Sequence, residues 1–327
     1  MTLDEIKQFL GKDWENTDGL IRSSLRSDID LLNMTNEAIL EHGGKQLRPI
    51  VSLLVARACG AGKANEDSVR YAAASELLHN ATLLHDDVAD SSSERRGVPT
   101  VMAILGGPAS VLLGDFWLVK AMENILASSV HGNEVIRIFS KTLSSLAEGE
   151  MLQLQKASSG DTVEDDYFRI IYSKTASLFE STCVSAAISV NAPDAWVDAV
   201  RNYAVSLGIA FQIKDDIFDY TGGKKIGKPV GIDLEEQKIT LPLLGALKSA
   251  SDESASRIRN MVMNIQEHPE YKEEVVAFVR EGKGIEYAVS KLDEYVSEAV
   301  GSLAVLPDSK EKDYLAKIAG FTACRDK

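Results

Sequence analysis

Long runs of apolar residues that recur every three or four positions, uninterrupted by proline, leave this chain little choice but helices. Such runs cover Tyr71 to Asp90, Ser110 to Leu126, Glu134 to Gln155 and Val197 to Tyr220, with apolar residues recurring at helical spacing. Only eight prolines occur in 327 residues, and sustained alternation of β-branched residues, the signature of strands, is hard to find. The chain therefore reads as all-α. Turns are expected near Gly60-Ala61-Gly62, Gly106-Gly107-Pro108, Ser158-Ser159-Gly160 and Asn191-Ala192-Pro193, where glycine, proline and asparagine break the pattern. The length permits one large domain or two ordinary ones. No linker, change of composition or internal repeat divides it, so one all-helical domain over residues 1–327 is expected.

One local pattern occurs twice within these runs. Leu84-His85-Asp86-Asp87-Val88-Ala89-Asp90 and Ile213-Lys214-Asp215-Asp216-Ile217-Phe218-Asp219 both carry Asp-Asp-x-x-Asp. Residues four apart share a helix face, so Asp86 projects with Asp90 and Asp215 with Asp219. Carboxylates crowded at the end of an apolar helix repel one another unless cations or water neutralise them. Hard oxygen ligands in this arrangement suit magnesium, which bridges to substrate phosphates. A single triplet would read as a solvated acidic face. Two triplets set in apolar sequence, and facing one another across one cavity, would be a site. Paired carboxylates also serve glycosidases, but that reading leaves the neighbouring cations without a task.

Those cations stand beside glycines. Gly43-Gly44-Lys45-Gln46-Leu47-Arg48-Pro49 and Arg95-Arg96-Gly97 each set paired positive charge at a turn; Lys174-Thr175, Gly227-Lys228-Pro229 and Gln237-Lys238-Ile239-Thr240 add more. Arginine holds phosphate oxygens in a bidentate fork, lysine supplies a point charge, and glycine lets the backbone approach an anion. Each alone could serve only helix ends and solubility. His79 lies two turns before Asp86 on the same face, which directs it toward the carboxylates.

Composition narrows the partners. A net charge of -14 opposes polyanionic nucleic acid and anionic membrane surfaces, whereas divalent cations suit it. No apolar stretch reaches the length of a membrane span, and the opening residues lack the pattern of a signal peptide, so a cytoplasmic protein without stable membrane insertion is expected. Cys59, Cys183 and Cys324 lie far apart with no metal-ligand spacing and read as idle thiols.

Taken in order, these motifs, together with Phe211-Gln212 before the second triplet and Lys238-Ile239-Thr240-Leu241-Pro242-Leu243 after it, resemble those of the trans-isoprenyl diphosphate synthases, or polyprenyl synthetases, over nearly the whole chain. The resemblance implies a helical bundle around a deep central cavity and a homodimer. It implies catalytic Asp86, Asp87, Asp90, Lys174, Asp215, Asp216 and Asp219, with Asp86, Asp90 and Asp215 bridging magnesium to an allylic diphosphate. Arg95, Lys174, Thr175, Gln212, Lys228 and Lys238 would hold that diphosphate, and Lys45, Arg48, His79 and Arg96 would hold isopentenyl diphosphate. Gln46 stands where the family often has arginine, and Gln237 where it often has glycine; neither removes a charged contact.

The chemistry so implied is ionisation of the allylic carbon as diphosphate departs, attack by the isopentenyl double bond, and loss of a proton. Product length would be set below the first motif. Thr82 lies one turn before Asp86, about 5.4 Å along the same face, with Ala81 beside it. Neither is bulky, so the expected product is long, around octaprenyl, with Phe139 as a candidate floor. A short-chain farnesyl or geranylgeranyl synthase shares every catalytic feature and differs in cavity depth. A terpene cyclase would not need the isopentenyl site, and a non-catalytic helical subunit would be free to lose both acids and cations.

Overall fold

The structure, a computed structural model, describes residues 2–222 and 231–324. In chain order the helices are α1 (Leu3–Leu10), α2 (Lys12–Ser24), α3 (Asp30–Glu41), α4 (Leu47–Cys59), α5 (Glu66–Ala89), α6 (Val101–Leu105), α7 (Gly107–Leu126), α8 (Gly132–Ser159), α9 (Glu164–Ile171), α10 (Ser177–Ser189) and α11 (Asp194–Thr221). After the undescribed 223–230 come α12 (Ile232–Glu235), α13 (Leu241–Lys248), α14 (Asp252–Met263), α15 (Tyr271–Glu281), α16 (Gly284–Ser302) and α17 (Lys310–Cys324). The protein is all-α. One exception to the helical reading is a hairpin of two-residue strands, β1 (Glu94–Arg95) and β2 (Val98–Pro99), too short for alternation to show in sequence. Arg96 and Gly97 at its tip both have positive φ, 55° and 81°, as a tight two-residue hairpin turn requires.

Two compact units emerge, each assembled from separate segments. The first comprises Met1–Ser140, Ser181–Val200 and Val305–Leu315. Its centre is α5, which starts with a reciprocal cap: Asn65 Oδ1 accepts from the Ser68 N–H at 2.8 Å and Ser68 Oγ accepts from the Asn65 N–H at 3.2 Å. Such caps satisfy helix donors that have no partner within the helix. From there α5 is buried on nearly every side, packed by α2, α4 and α7, which is why its sequence shows little one-sided polarity. Its exposed end is Asp90. The wrapping helices are fixed in turn by buried polar contacts such as Trp117 Nε1 to Asn36 Oδ1, 2.7 Å.

The second unit comprises Lys141–Glu180, Arg201–Ala304 and Ala316–Lys327. Ile209, Ile213, Leu243, Val262, Val279 and Leu292 contribute to one apolar core shared by α11, α13, α14, α15 and α16. Between α9 and α10 the helix widens into a π-turn, Tyr172–Ala176, in which the Ser177 N–H donates to the carbonyl of Tyr172, five residues back. Single π-turns of this kind concentrate at functional sites.

Candidate active site

In the first unit, the first acidic motif occupies the last turn of α5. Asp86 and Asp90 follow one another up the same face, with the Asp90 N–H donating to the Asp86 carbonyl at 2.8 Å. Asp87 points elsewhere. It is 4% exposed, and its Oδ1 accepts from Arg95 Nε at 2.8 Å. Arg95, expected on a diphosphate, is thus anchored at one edge to the motif itself, which fixes the hairpin against α5.

The neighbouring Arg96 is held by the left-handed turn. Its guanidinium lies flat against Gly44: a Cβ there would stand 2.5 Å from Nη2 and 2.6 Å from Cζ. The two glycine-flanked cation motifs of the sequence therefore meet. Arg48, in the first turn of α4, shares their field. Burial, opposed by Glu76 and reinforced by Arg96, pulls its pKa down to about 10, so it stays charged at neutral pH. His79 is pushed well below the ordinary imidazole range, chiefly by burial and then by Arg48, Arg96 and Arg95; it is a neutral imidazole. Lys45 is exposed in the loop before α4.

Sequence reasoning passed over Glu76. It is 5% exposed on α5, and Asn80 Nδ2 donates to its Oε1 at 3.3 Å. Burial raises its pKa, with Arg48 acting most strongly to lower it, and it in turn raises the pKa of Arg48 and of Arg96. Its place one helical turn before His79 was the available signal.

A cavity of about 500 Å³ opens beside this cluster, lined by Leu31, Met34, Leu83, Ile104 and, at one end, Arg95 and Arg96. Ala81 is buried, Thr82 is partly buried with its hydroxyl donating to the His79 carbonyl at 2.8 Å, and Phe139 is 1% exposed.

In the second unit, a chain of hydrogen bonds joins three helical segments at the second acidic motif. Thr175 Oγ1 donates to Gln212 Oε1 at 2.8 Å, Gln212 Nε2 donates to Asp216 Oδ1 at 2.9 Å, and the Tyr167 hydroxyl donates to Asp216 Oδ2 at 2.6 Å. Asp216 is 3% exposed, and burial drives its pKa well up, with Asp233 adding to the rise. Asp219 caps the next segment: Oδ1 accepts from the Ile232 N–H at 2.9 Å and Oδ2 from the Asp233 N–H at 3.3 Å. Asp215 is partly exposed on the same face as Asp219.

Lys174 Nζ reaches back to α8, to Glu150 Oε1 at 2.8 Å and Gln153 Oε1 at 3.0 Å. Lys174, Gln212, Asp216 and Lys238 line a single cleft of about 140 Å³ with Gln153 and Asp233. Lys238 pairs with Glu236. Lys228 lies outside the described residues. Tyr167, Glu150 and Asp233 were not anticipated; none of them stands in a glycine- or aspartate-rich motif that would have marked it.

Magnesium can be tested against this geometry. Among the described residues no three acidic, imidazole or thiol groups come together to form a complete metal cage. Magnesium does not need one, since it binds through one or two carboxylates and the phosphates of a substrate. Asp86 with Asp90, and Asp215 on its own helix, fit that mode.

The Polyprenyl synthetase family model matches residues 29–279. The chain is 37% identical to octaprenyl diphosphate synthase of Haemophilus influenzae over 327 residues, covering 100% of this chain and 98% of that protein. It resembles the crystal structure of a decaprenyl diphosphate synthase from Rhodobacter capsulatus, with a TM-score of 0.92, 33% identity and 99% of each chain covered. It also resembles polyprenyl synthase from Caulobacter crescentus CB15 complexed with calcium and isoprenyl diphosphate, with a TM-score of 0.90, 31% identity, and coverage of 100% of this chain and 98% of that one. The chain belongs to the polyprenyl synthetase family. It is a trans-prenyltransferase of isoprenoid biosynthesis.

Proposed function

We propose that the chain adds isopentenyl diphosphate repeatedly to an allylic diphosphate and releases a long-chain all-trans polyprenyl diphosphate, using magnesium. The observation that carries this reading is the seating of Arg96 on Gly44, which joins two cation motifs distant in sequence into one anion-binding surface. Arg48, Arg96 and Lys45 hold the isopentenyl diphosphate by charge-assisted hydrogen bonds. Neutral His79 adds a hydrogen bond without adding charge. Lys174, Thr175, Gln212, Lys238, Arg95 and Lys228 hold the allylic diphosphate. Asp87 fixes Arg95, Asp216 fixes Gln212, and Asp219 fixes the segment leading to Lys238.

Asp86, Asp90 and Asp215 would hold magnesium, which when bound supplies positive charge to the diphosphate that departs. As that group leaves the allylic carbon, the fixed cations stabilise its growing charge. The isopentenyl double bond then attacks the allylic carbon, and the proton passes to the released diphosphate. Both acidic motifs belong to one catalytic domain in this reading, supported by a family match that spans segments of both units. Small side chains at Ala81 and Thr82, and long-chain relatives, support a long product with Phe139 as its floor.

The active form is proposed to be a homodimer. Leu112, Val119 and Leu126 recur every seven residues on α7, 69%, 51% and 58% exposed, an apolar stripe of the kind that a second copy covers. No helix among the described residues is long and apolar enough to cross a membrane. Cys59 and Cys183 are buried, and a cytoplasmic setting is proposed for the chain. The reaction is tested by incubating the enzyme with farnesyl diphosphate and labelled isopentenyl diphosphate. Incorporation that requires added magnesium and stops with a chelator supports the reading, and an enzyme that incorporates no label with any allylic primer overturns it.

A further inference from the structure

We propose that Gly149 and Gly208 are positioning residues for the reaction: from opposite sides they clamp the π-turn Tyr172–Ala176 and so fix where Lys174 and Thr175 present their side chains. The inference rests on the proposed role of those two residues at the allylic diphosphate.

A π-turn sacrifices good hydrogen-bond geometry and persists where its surroundings over-determine it. Here the surroundings are two helices that approach with no side chain between. On α8, a Cβ at Gly149 would stand 2.6 Å from Ser173 Cβ and 3.1 Å from Lys174 Cγ. On α11, a Cβ at Gly208 would stand 2.5 Å from Ala176 Cα and 2.8 Å from Ala176 Cβ. These are not the ends of flexible side chains but atoms at or next to the backbone, so the turn itself has to move by about 1 Å to restore ordinary contact.

The clamped residues face different helices. Lys174 engages Glu150 and Gln153 on α8, and Thr175 engages Gln212 on α11. Consecutive residues of a helical turn point in different directions, so the depth of the turn between the two helices decides how far each side chain reaches, and the two glycines set that depth. Misplacing a binding group by about 1 Å can cost on the order of a hundredfold in rate.

The two contacts differ in a way that gives the test its edge. The obstacle to alanine at 149 includes the Ser173 Cβ, which Ser173→Gly removes. The nearest obstacle at 208 is the Ala176 Cα, which no substitution removes. The experiment measures steady-state kinetics of the full-length enzyme with farnesyl diphosphate and isopentenyl diphosphate varied in turn. Gly149→Ala and Gly208→Ala are each expected to raise KM for farnesyl diphosphate about tenfold or more while KM for isopentenyl diphosphate stays within about twofold. Ser173→Gly should restore most of the loss in Gly149→Ala, whereas Ala176→Gly should restore little in Gly208→Ala.

Should Gly149→Ala not accumulate as folded protein, the Gly149→Ala/Ser173→Gly pair carries the test, with near-parental KM expected for farnesyl diphosphate. Equal losses on both substrates, parental kinetics in both alanine variants, or a paired variant that stays impaired would overturn the clamp. A parental enzyme that incorporates no isopentenyl unit would instead count against the proposed function. The two failures are thus distinguishable.

Discussion

The Arg96 guanidinium rests on the Cα of Gly44, so close that a methyl group at residue 44 would sit 2.5 Å from its Nη2. The atom displaced is the tip of a long side chain, which can swing aside at little cost to the fold. Gly44→Ala is therefore expected to move the charge and spare the scaffold. KM for isopentenyl diphosphate should rise about tenfold, the allylic KM should stay within about twofold, and the melting temperature should hold within a few degrees. A large loss of stability with unchanged KM would show that the contact is only packing.

His79 gives a pH signature. Its pKa in the folded protein lies well below the ordinary 6.5, because burial and the nearby arginines disfavour the imidazolium. The unfolded chain therefore binds a proton that the folded protein refuses. Stability from this source is full above pH 6.5 and is lost as pH falls from there toward the folded value. Thermal melts between about pH 5 and pH 8 should show a shallower acid-side decline for His79→Gln than for the parent. Parallel curves would mean that His79 is not held neutral.

Tyr167 donates to a buried carboxyl that also binds Gln212. Tyr167→Phe leaves the ring in place and deletes that donor, at an expected cost of about 1–3 kcal/mol in chemical denaturation. Because Asp216 orients Gln212, allylic KM should rise in the same variant. If stability and KM both match the parent, the hydrogen-bond chain from Thr175 to Tyr167 does not organise the site.

The α7 stripe is tested by Leu112→Glu, which sets a charge into the proposed contact and is expected to shift the sedimentation coefficient from dimer toward monomer, with loss of activity at low protein concentration. A parent that sediments as a monomer at micromolar concentration would remove the homodimer proposal.

The long helices were legible as long proline-free runs rich in apolar residues: the stretch from Tyr71 to Asp90 lies in α5 and its cap, Ser110 to Leu126 in α7, Glu134 to Gln155 in α8 and Val197 to Tyr220 in α11. The expected turns fall at helix ends for the same reason. What escaped depends on contacts between distant residues. Glu76 reads as one more helical acid until Arg48 and Arg96 are placed near it. The π-turn has no signature within Tyr172–Ala176 because it is imposed from outside, by Gly149 and Gly208. Family departures also gain a physical reason. Gln237 has φ 58°, a conformation that glycine adopts without strain, and the glutamine side chain instead donates to the Met263 carbonyl. Gln46, at φ 52° before α4, accepts from Lys7 Nζ at 3.0 Å.

The measurement that bears most directly on the account is the chain length of the product. Purified enzyme, magnesium, farnesyl diphosphate and labelled isopentenyl diphosphate should yield, after dephosphorylation and chromatography, a ladder that ends near octaprenyl. Ala81→Phe or Thr82→Phe should shorten that ladder. Products that stop at geranylgeranyl in the parent, or a ladder unchanged in both phenylalanine variants, would contradict the proposed long-chain product and its control at Ala81 and Thr82.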